Sequence, residues 1–289
     1  MNIVFLSELF YPHGGGAELA TYLYAKLLSE SGINVVVVTN RFPGEPESSK
    51  SEGFTICRLP LLKRGESLKY SMLKRFDVLF SSFMRGLMKW ADVIYIPRRW
   101  YSAIPLAKAY GKSVIVHLHD YLPICPLTVL YDFSKSAICD QYNNFTCSPR
   151  CIMAYERSNA RSSTEALTSV ALNLTVWRYI GKLVTLSDAI ICVSKAQKHL
   201  VEAAAPFLNN KSCVIYNPLP EYSGNDVHGK DLGYFGGPNP LKGFHVLSHA
   251  LRKIHSENVK VHATKFNNFP NDLAESLSLL GIVAYKKLD

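Results

Sequence analysis

One pattern at the start of the chain limits its fold more than any other feature. Ile3–Leu6 is a short apolar run, Gly14, Gly15 and Gly16 make a turn, and Ala17–Ser31 reads as a helix. That helix has Leu19, Leu23, Leu27 and Leu28 on one face and Gly32 as its C-terminal cap. Asn34–Thr39 is a second, continuously apolar run. Strands without polar alternation are covered on both faces, so this is a strand–helix–strand unit of a parallel sheet.

The alternation continues. Phe54–Leu59, Val93–Ile96, Ser113–Leu118, Ala189–Ser194 and Ser212–Tyr216 read as strands. Helical stretches lie at Leu68–Trp90, Ala103–Tyr110, Met153–Thr185 (interrupted) and Lys195–Ala205. Repeated βα units of this kind predict an α/β, Rossmann-like, doubly wound domain over residues 1–218. Pro218, Pro220 and the polar residues after them predict a linker over 219–230. The pattern restarts with strands Asp231–Phe235, Val259–Thr264 and Ile282–Tyr285 around helices Gly243–Ser256 and Asn271–Leu280. Residues 231–289 therefore read as an incomplete second Rossmann-like domain.

Charge points to the partners. Lys and Arg number 32 against 23 Asp and Glu, a net +9 that favours nucleotide phosphates, nucleic acid or an acidic membrane face. No nucleic-acid-binding motif accompanies the charge, so a nucleic acid is not expected. An apolar content of 48% excludes a disordered chain. The N-terminus has no basic stretch before its apolar run, and no window is long and apolar enough to span a bilayer. The expected location is the cytoplasm, with membrane association on the inner face as an option.

Three glycines before a helix can bring the backbone close to a ligand and aim N–H groups at an anion. They can equally serve a tight strand-to-helix connection, and Glu18 in the first turn suits the helix dipole without any ligand. The spacing is not G-x-G-x-x-G, which counts against a dinucleotide oxidoreductase or epimerase.

Residues Tyr11–Glu18, the leucine-rich helix, Gly32 and Val35–Thr39 together resemble the opening of the retaining glycosyltransferases of family 4. Those are two-domain GT-B enzymes that move a sugar from a nucleotide-sugar. Four further blocks resemble the family in the same order: His117–Asp120 after a strand, Ala189–Ser194, Val214–Pro218, and Tyr234–Gly243. The resemblance implies catalytic roles for His119, which would touch the transferred sugar, and for Asp120 beside it. It implies donor or phosphate contacts for Gly15, Gly16, Glu18, Gly236, Gly237 and Lys242, with Lys242 neutralising the donor β-phosphate. The donor would be a UDP- or GDP-hexose, the acceptor a glycan or lipid-linked hydroxyl, with no cofactor needed for catalysis.

Two departures follow from the same comparison. Gly237 stands where the family usually has an arginine, and the family's Glu-x7-Glu donor region has no counterpart after Lys242. The chain therefore looks truncated in its second domain, and its activity alone is in doubt. The alternative is a non-catalytic subunit that binds acceptor or membrane and needs a partner to supply the donor site.

Cys125, Cys139, Cys147 and Cys151 gather in the loop 120–152, and Cys147 and Cys151 have a familiar metal spacing. A structural zinc ion, disulfides and free thiols all remain open there. The helix over 68–90 is amphipathic, with Lys74, Ser81, Arg85 and Lys89 on one face and Met72, Phe76, Leu79, Phe83, Leu87 and Trp90 on the other. It is either an ordinary helix with a solvated basic side or a docking surface for an anionic membrane.

Overall fold

β1 (Asn2–Leu6) pairs in parallel with β2 (Asn34–Asn40) on one side and β5 (Val93–Ile96) on the other. The computed structural model describes residues 1–61, 77–139, 149–159, 162–220, 232–234, 240–251, 253, 261–264 and 283–285. Contacts divide the chain into two units, Met1–Pro220 and Glu221–Asp289.

In the first unit, β6 (Ser113–Leu118), β9 (Ala189–Cys192) and β10 (Ser212–Val214) extend the sheet beyond β5. β4 (Phe54–Leu59) and β3 (Ser48–Ser51) extend it beyond β2, giving the order β10-β9-β6-β5-β1-β2-β4-β3. Every pairing in this sheet is parallel except β3 with β4. β3 is a polar edge strand that apolar patterning does not announce. Successive residues of the buried strands feed two cores. Ile3, Phe5, Val35, Val37 and Tyr95 face one side with Phe54 and Ala25, whereas Val4, Leu6, Ile94, Ile96, Val114 and Val116 face the other.

α1 (Gly16–Glu30) covers the first of these cores, and its end matches the expected cap. Gly32 has φ +80°, its N–H donates to the Ser29 carbonyl at 2.9 Å, and the Ile33 N–H donates to that of Leu28 at 3.1 Å. The buried side of α1 differs from the leucine stripe. Glu18, Ala20, Thr21 and Ala25 are buried, while Leu27 is exposed. Small residues let the helix lie close on the sheet, so leucines beside them are left at the margin.

α2 (Ser82–Trp90) starts where the Ser81 hydroxyl accepts the Met84 N–H at 3.2 Å. Residues 68–76 of the expected long helix, including Met72, Lys74 and Phe76, lie outside the described residues. Met84 and Met88 are buried, but Phe83 and Trp90 are exposed, a correction to the expected apolar face. At 100° per residue Phe83 and Trp90 sit at the edge of the stripe that Met84, Leu87 and Met88 press on the core. The apolar stripe is wider than the contact.

The 3₁₀ turn Trp100–Ala103 leads into α3 (Ile104–Ala109). A small hairpin, β7 (Tyr131–Asp132) with β8 (Ala137–Ile138), follows β6. The interrupted helix resolves into α4 (Pro149–Ser158), α5 (Ser163–Leu172), a π turn over Asn173–Trp177 and α6 (Arg178–Lys182). The break before α5 has a capping box: Ser162 N–H donates to Glu165 Oε2 at 3.0 Å, and Glu165 N–H returns to the serine hydroxyl at 3.4 Å. α7 (Lys195–Ala204) then precedes β10.

The second unit contains β11 (Leu232–Tyr234), β12 (Val261–Thr264) and β13 (Val283–Tyr285) as a parallel sheet, with α8 (Phe244–Leu251) between the first two in sequence. The expected helix Asn271–Leu280 lies outside the described residues. Among the described residues, no helix is long and apolar enough to cross a membrane.

Candidate functional site

β1, β5 and β6 are neighbours in a parallel sheet, so their C-terminal ends open on one edge. Ligand sites of open α/β sheets form on that edge. Here it carries Glu8 after β1, Arg98 and Arg99 after β5, and His119 and Asp120 after β6. The glycine turn arrives at the same edge, because it follows β1 and opens α1.

Gly14 has φ +106°, and a Cβ on it would lie 2.5 Å from Glu18 Cγ. Both facts require glycine. Glu18 folds back on the turn: its Oε2 accepts the Gly15 N–H at 2.7 Å, and its Oε1 accepts from Arg98 Nη1. The Gly15 N–H is thus engaged within the chain. A Cβ on Gly16 would meet nothing within 4 Å, so the turn is open there.

Glu8 is fully buried, with Arg98 Nε 3.8 Å and Arg99 Nε 3.9 Å from its Oε1. Burial opposes the Arg98 charge, but Glu8, Glu18 and Asp120 around it outweigh that and raise its pKa. Asp120 is shifted upward by burial, against the pull of Arg99, the Leu122 N–H and Arg98. Its Oδ1 accepts that N–H at 3.0 Å.

Two histidines complete the edge. His117 is fully buried, and its Nδ1 pairs with the Tyr95 hydroxyl at 2.5 Å. The rings of His117 and His119 lie 4.3 Å apart, and Tyr24 packs edge-on to His117 at 5.3 Å. Burial, with the neighbouring His119, lowers His117 to about 3. Burial and the Arg98 cation lower His119 to about 4, with Glu18 opposing. Both are neutral at physiological pH. The unfolded chain would bind protons near pH 6.5, so their stabilising contribution is complete above that value and is lost as pH falls toward 4 and 3.

His117 Nε2, His119 Nε2, Asp120 Oδ2 and Arg99 Nε are buried atoms without a hydrogen-bond partner. Clustered unsatisfied polar atoms at a sheet edge are what a polar ligand or ordered water would satisfy. A neutral imidazole and a carboxyl group can both exchange hydrogen bonds with sugar hydroxyls.

The structure thus brings Gly15, Gly16, Glu18, His119 and Asp120 together in the first unit. Lys242 belongs to the second, at the end of a 3₁₀ turn over Pro240–Lys242. Its side chain is exposed and its carbonyl accepts from the Tyr234 hydroxyl at 3.1 Å. Gly236 and Gly237 lie outside the described residues. Sequence reasoning passed over Glu8, Arg98 and Arg99. Their signal was available: charged residues directly after buried apolar strands, on the edge where ligands bind.

In the cysteine loop, Cys125 and Cys151 are buried and Cys139 is half-buried, while Cys147 lies outside the described residues. No disulfide joins the three described cysteines of this loop. Cys151 Sγ donates to the Tyr131 carbonyl at 3.6 Å, and burial pushes its thiol up to about 11. Among the described residues, no group of His, Cys, Asp or Glu has the geometry to hold a metal.

Solved glycosyltransferase structures share this fold. The chain superposes on Anabaena HepE, solved with UDP and glucose, at a TM-score of 0.50 and 18% identity, covering 99% of this chain and 70% of that one. Sucrose-phosphate synthase from Thermosynechococcus elongatus gives 0.60 at 13% identity, covering 100% and 71%. Medicago truncatula UGT71G1, solved with UDP-glucose, gives 0.53 at 13% identity, covering 99% and 72%. No curated protein matches the sequence. The sequence profile of Glycosyltransferase Family 4 matches residues 14–221, which spans the glycine turn and the His119 edge. With its α/β fold of the GT-B type, the chain belongs to glycosyltransferase family 4.

Proposed function

We propose that this protein takes part in transferring a hexose from a nucleotide-sugar to a hydroxyl of a glycan or lipid-linked acceptor, with retention of configuration. The observation that carries the reading is the neutral His119, its Nε2 unpartnered beside Arg98, Glu18 and the open Gly16 turn. UDP or UDP-glucose bound in the HepE and UGT71G1 structures supports a nucleotide-sugar as donor. Front-face transfer needs stabilisation of the leaving diphosphate, for which Lys242 and backbone N–H groups are the candidates, without a catalytic metal. The test is transfer from a nucleotide-sugar with the anomeric configuration of the product read by proton NMR.

A lipid-linked acceptor is favoured by the surface of α2. Exposed Phe83 and Trp90 share that helix with exposed Arg85 and Lys89, and Phe80 is exposed just before it. Lys112 Nζ adds a third cation by donating to the Lys89 carbonyl at 3.2 Å. Aromatic side chains beside cations suit the interface of an anionic bilayer. Co-sedimentation with vesicles should rise with anionic lipid and fall with salt. Replacing Arg85, Lys89 and Lys112 by glutamate should remove about 1 kcal/mol per cation, roughly a hundredfold or more in total. Equal binding to neutral vesicles, or none, would leave α2 an ordinary surface helix.

A non-catalytic role, with a partner supplying the donor site, is the second reading. Gly237, standing where the family resemblance expects a cation at the donor diphosphate, favours it.

A further inference from the structure

Arg98 connects three segments of the first unit. It follows β5, its Nη1 donates to Glu18 on α1, and its Nε lies 3.8 Å from Glu8 after β1. Glu18 in turn holds the Gly15 N–H at 2.7 Å. A planar fork that meets two carboxylates fixes both at once, which a lysine ammonium does not do. Stability alone does not account for the arrangement, since buried ion pairs are often replaceable by neutral groups without loss.

We propose that Arg98 is the positioning residue of this edge: by gripping Glu18 it sets the shape of the Gly14–Gly16 turn relative to His119. Its kinetic consequence rests on the glycosyltransferase reading; the geometry does not. Arg98 also faces His119, together with Glu18 from α1 and His117 from β6, so its charge favours the neutral ring. Arg98 thereby ties together the two groups that would present hydrogen bonds to a bound sugar.

Two variants test this. Arg98→Met with Glu18→Gln removes both charges together and keeps an acceptor for the Gly15 N–H, while Glu8 retains Arg99. Arg98→Lys keeps the charge and loses the fork. Three readouts apply: hydrogen exchange at the Gly15 amide, the ring titration of His119 by NMR, and kcat and KM with nucleotide-sugars. In the double variant the Gly15 amide should exchange about tenfold faster or more. His119 should titrate closer to the ordinary histidine value, and kcat should fall on the order of 10²-fold with KM little changed. Arg98→Lys should keep the low His119 titration but still lose Gly15 protection and kcat.

A folded double variant with wild-type Gly15 protection and wild-type His119 titration would overturn the proposal, whether or not the protein transfers sugar. Should the double variant unfold, Arg98→Lys decides: unchanged Gly15 protection would overturn it, and faster exchange would support it. A wild-type protein without nucleotide-sugar turnover would remove the glycosyltransferase reading, and the first two readouts would still decide the role of Arg98.

Discussion

In a transfer assay across common nucleotide-sugars, the 289-residue chain alone is expected to turn over several powers of ten more slowly than when supplied with a C-terminal segment bearing a Glu-x7-Glu pair. The reason lies in what holds a nucleotide-sugar. Its ribose and sugar hydroxyls need carboxylates, and no Glu-x7-Glu pair follows Lys242 in these residues. Gly237 also removes a cation that the family resemblance expects at the diphosphate. Each lost charge-assisted hydrogen bond is worth roughly 1.5–3 kcal/mol, and about 1.4 kcal/mol is tenfold in affinity. Three or four such losses outweigh anything that Lys242 and the glycine turn can return. The chain spans 70% of HepE and 71% of the sucrose-phosphate synthase, which fits a donor half that is only partly present among these residues. Robust turnover by the chain alone would show that the donor is held in some other way.

His119→Ala is expected to lower kcat by about 10²–10³-fold, the usual effect of removing one preorganised hydrogen-bonding group from a transfer site. The donor KM should change little, because the lost contact matters most as charge develops on the reacting sugar. With His119 lowered to about 4 by burial and Arg98, its ring stays neutral from pH 5 to 8. The rate should therefore show no protonation step of this ring across that range. His119→Asn, which keeps a polar group, should recover part of the loss. Wild-type kcat in a folded His119→Ala protein would take the chemistry away from this edge.

Much of the first sheet was legible because its strands are buried on both faces. Phe54–Leu59, Val93–Ile96 and Ser113–Leu118 have the expected bounds, since apolar runs bordered by polar or turn residues leave little choice of ends. Gly32 announced its helix cap for a similar reason, its φ of +80° being costly for other residues. β3 was not legible: Ser48–Ser51 has no apolar pattern and is held by antiparallel pairing with β4. Nor could periodicity tell which apolar residues of α2 press on the core. Phe83 and Trp90 sit beside the contact, and only the placement of Met84 and Met88 against the sheet decides that they stay exposed.

The site was half legible. His119, Asp120 and the glycine turn stood out through their resemblance to a family, but the charges around them did not. Arg98 and Arg99 look in sequence like surface cations after Pro97. Their partners appear once β5 is seen between β1 and β6, where both guanidinium groups meet the buried Glu8. Strand order in a parallel sheet is a long-range property, and residues 90 positions apart become neighbours only through it.

The central claim is tested most directly by proton NMR of the transfer product, with the chain supplied with a donor-binding C-terminal segment and offered an axial UDP- or GDP-hexose and an alcohol acceptor. The account predicts a product that keeps the axial anomeric configuration of the donor and disappears with His119→Ala. An inverted product, or transfer unaffected by that substitution, would contradict it.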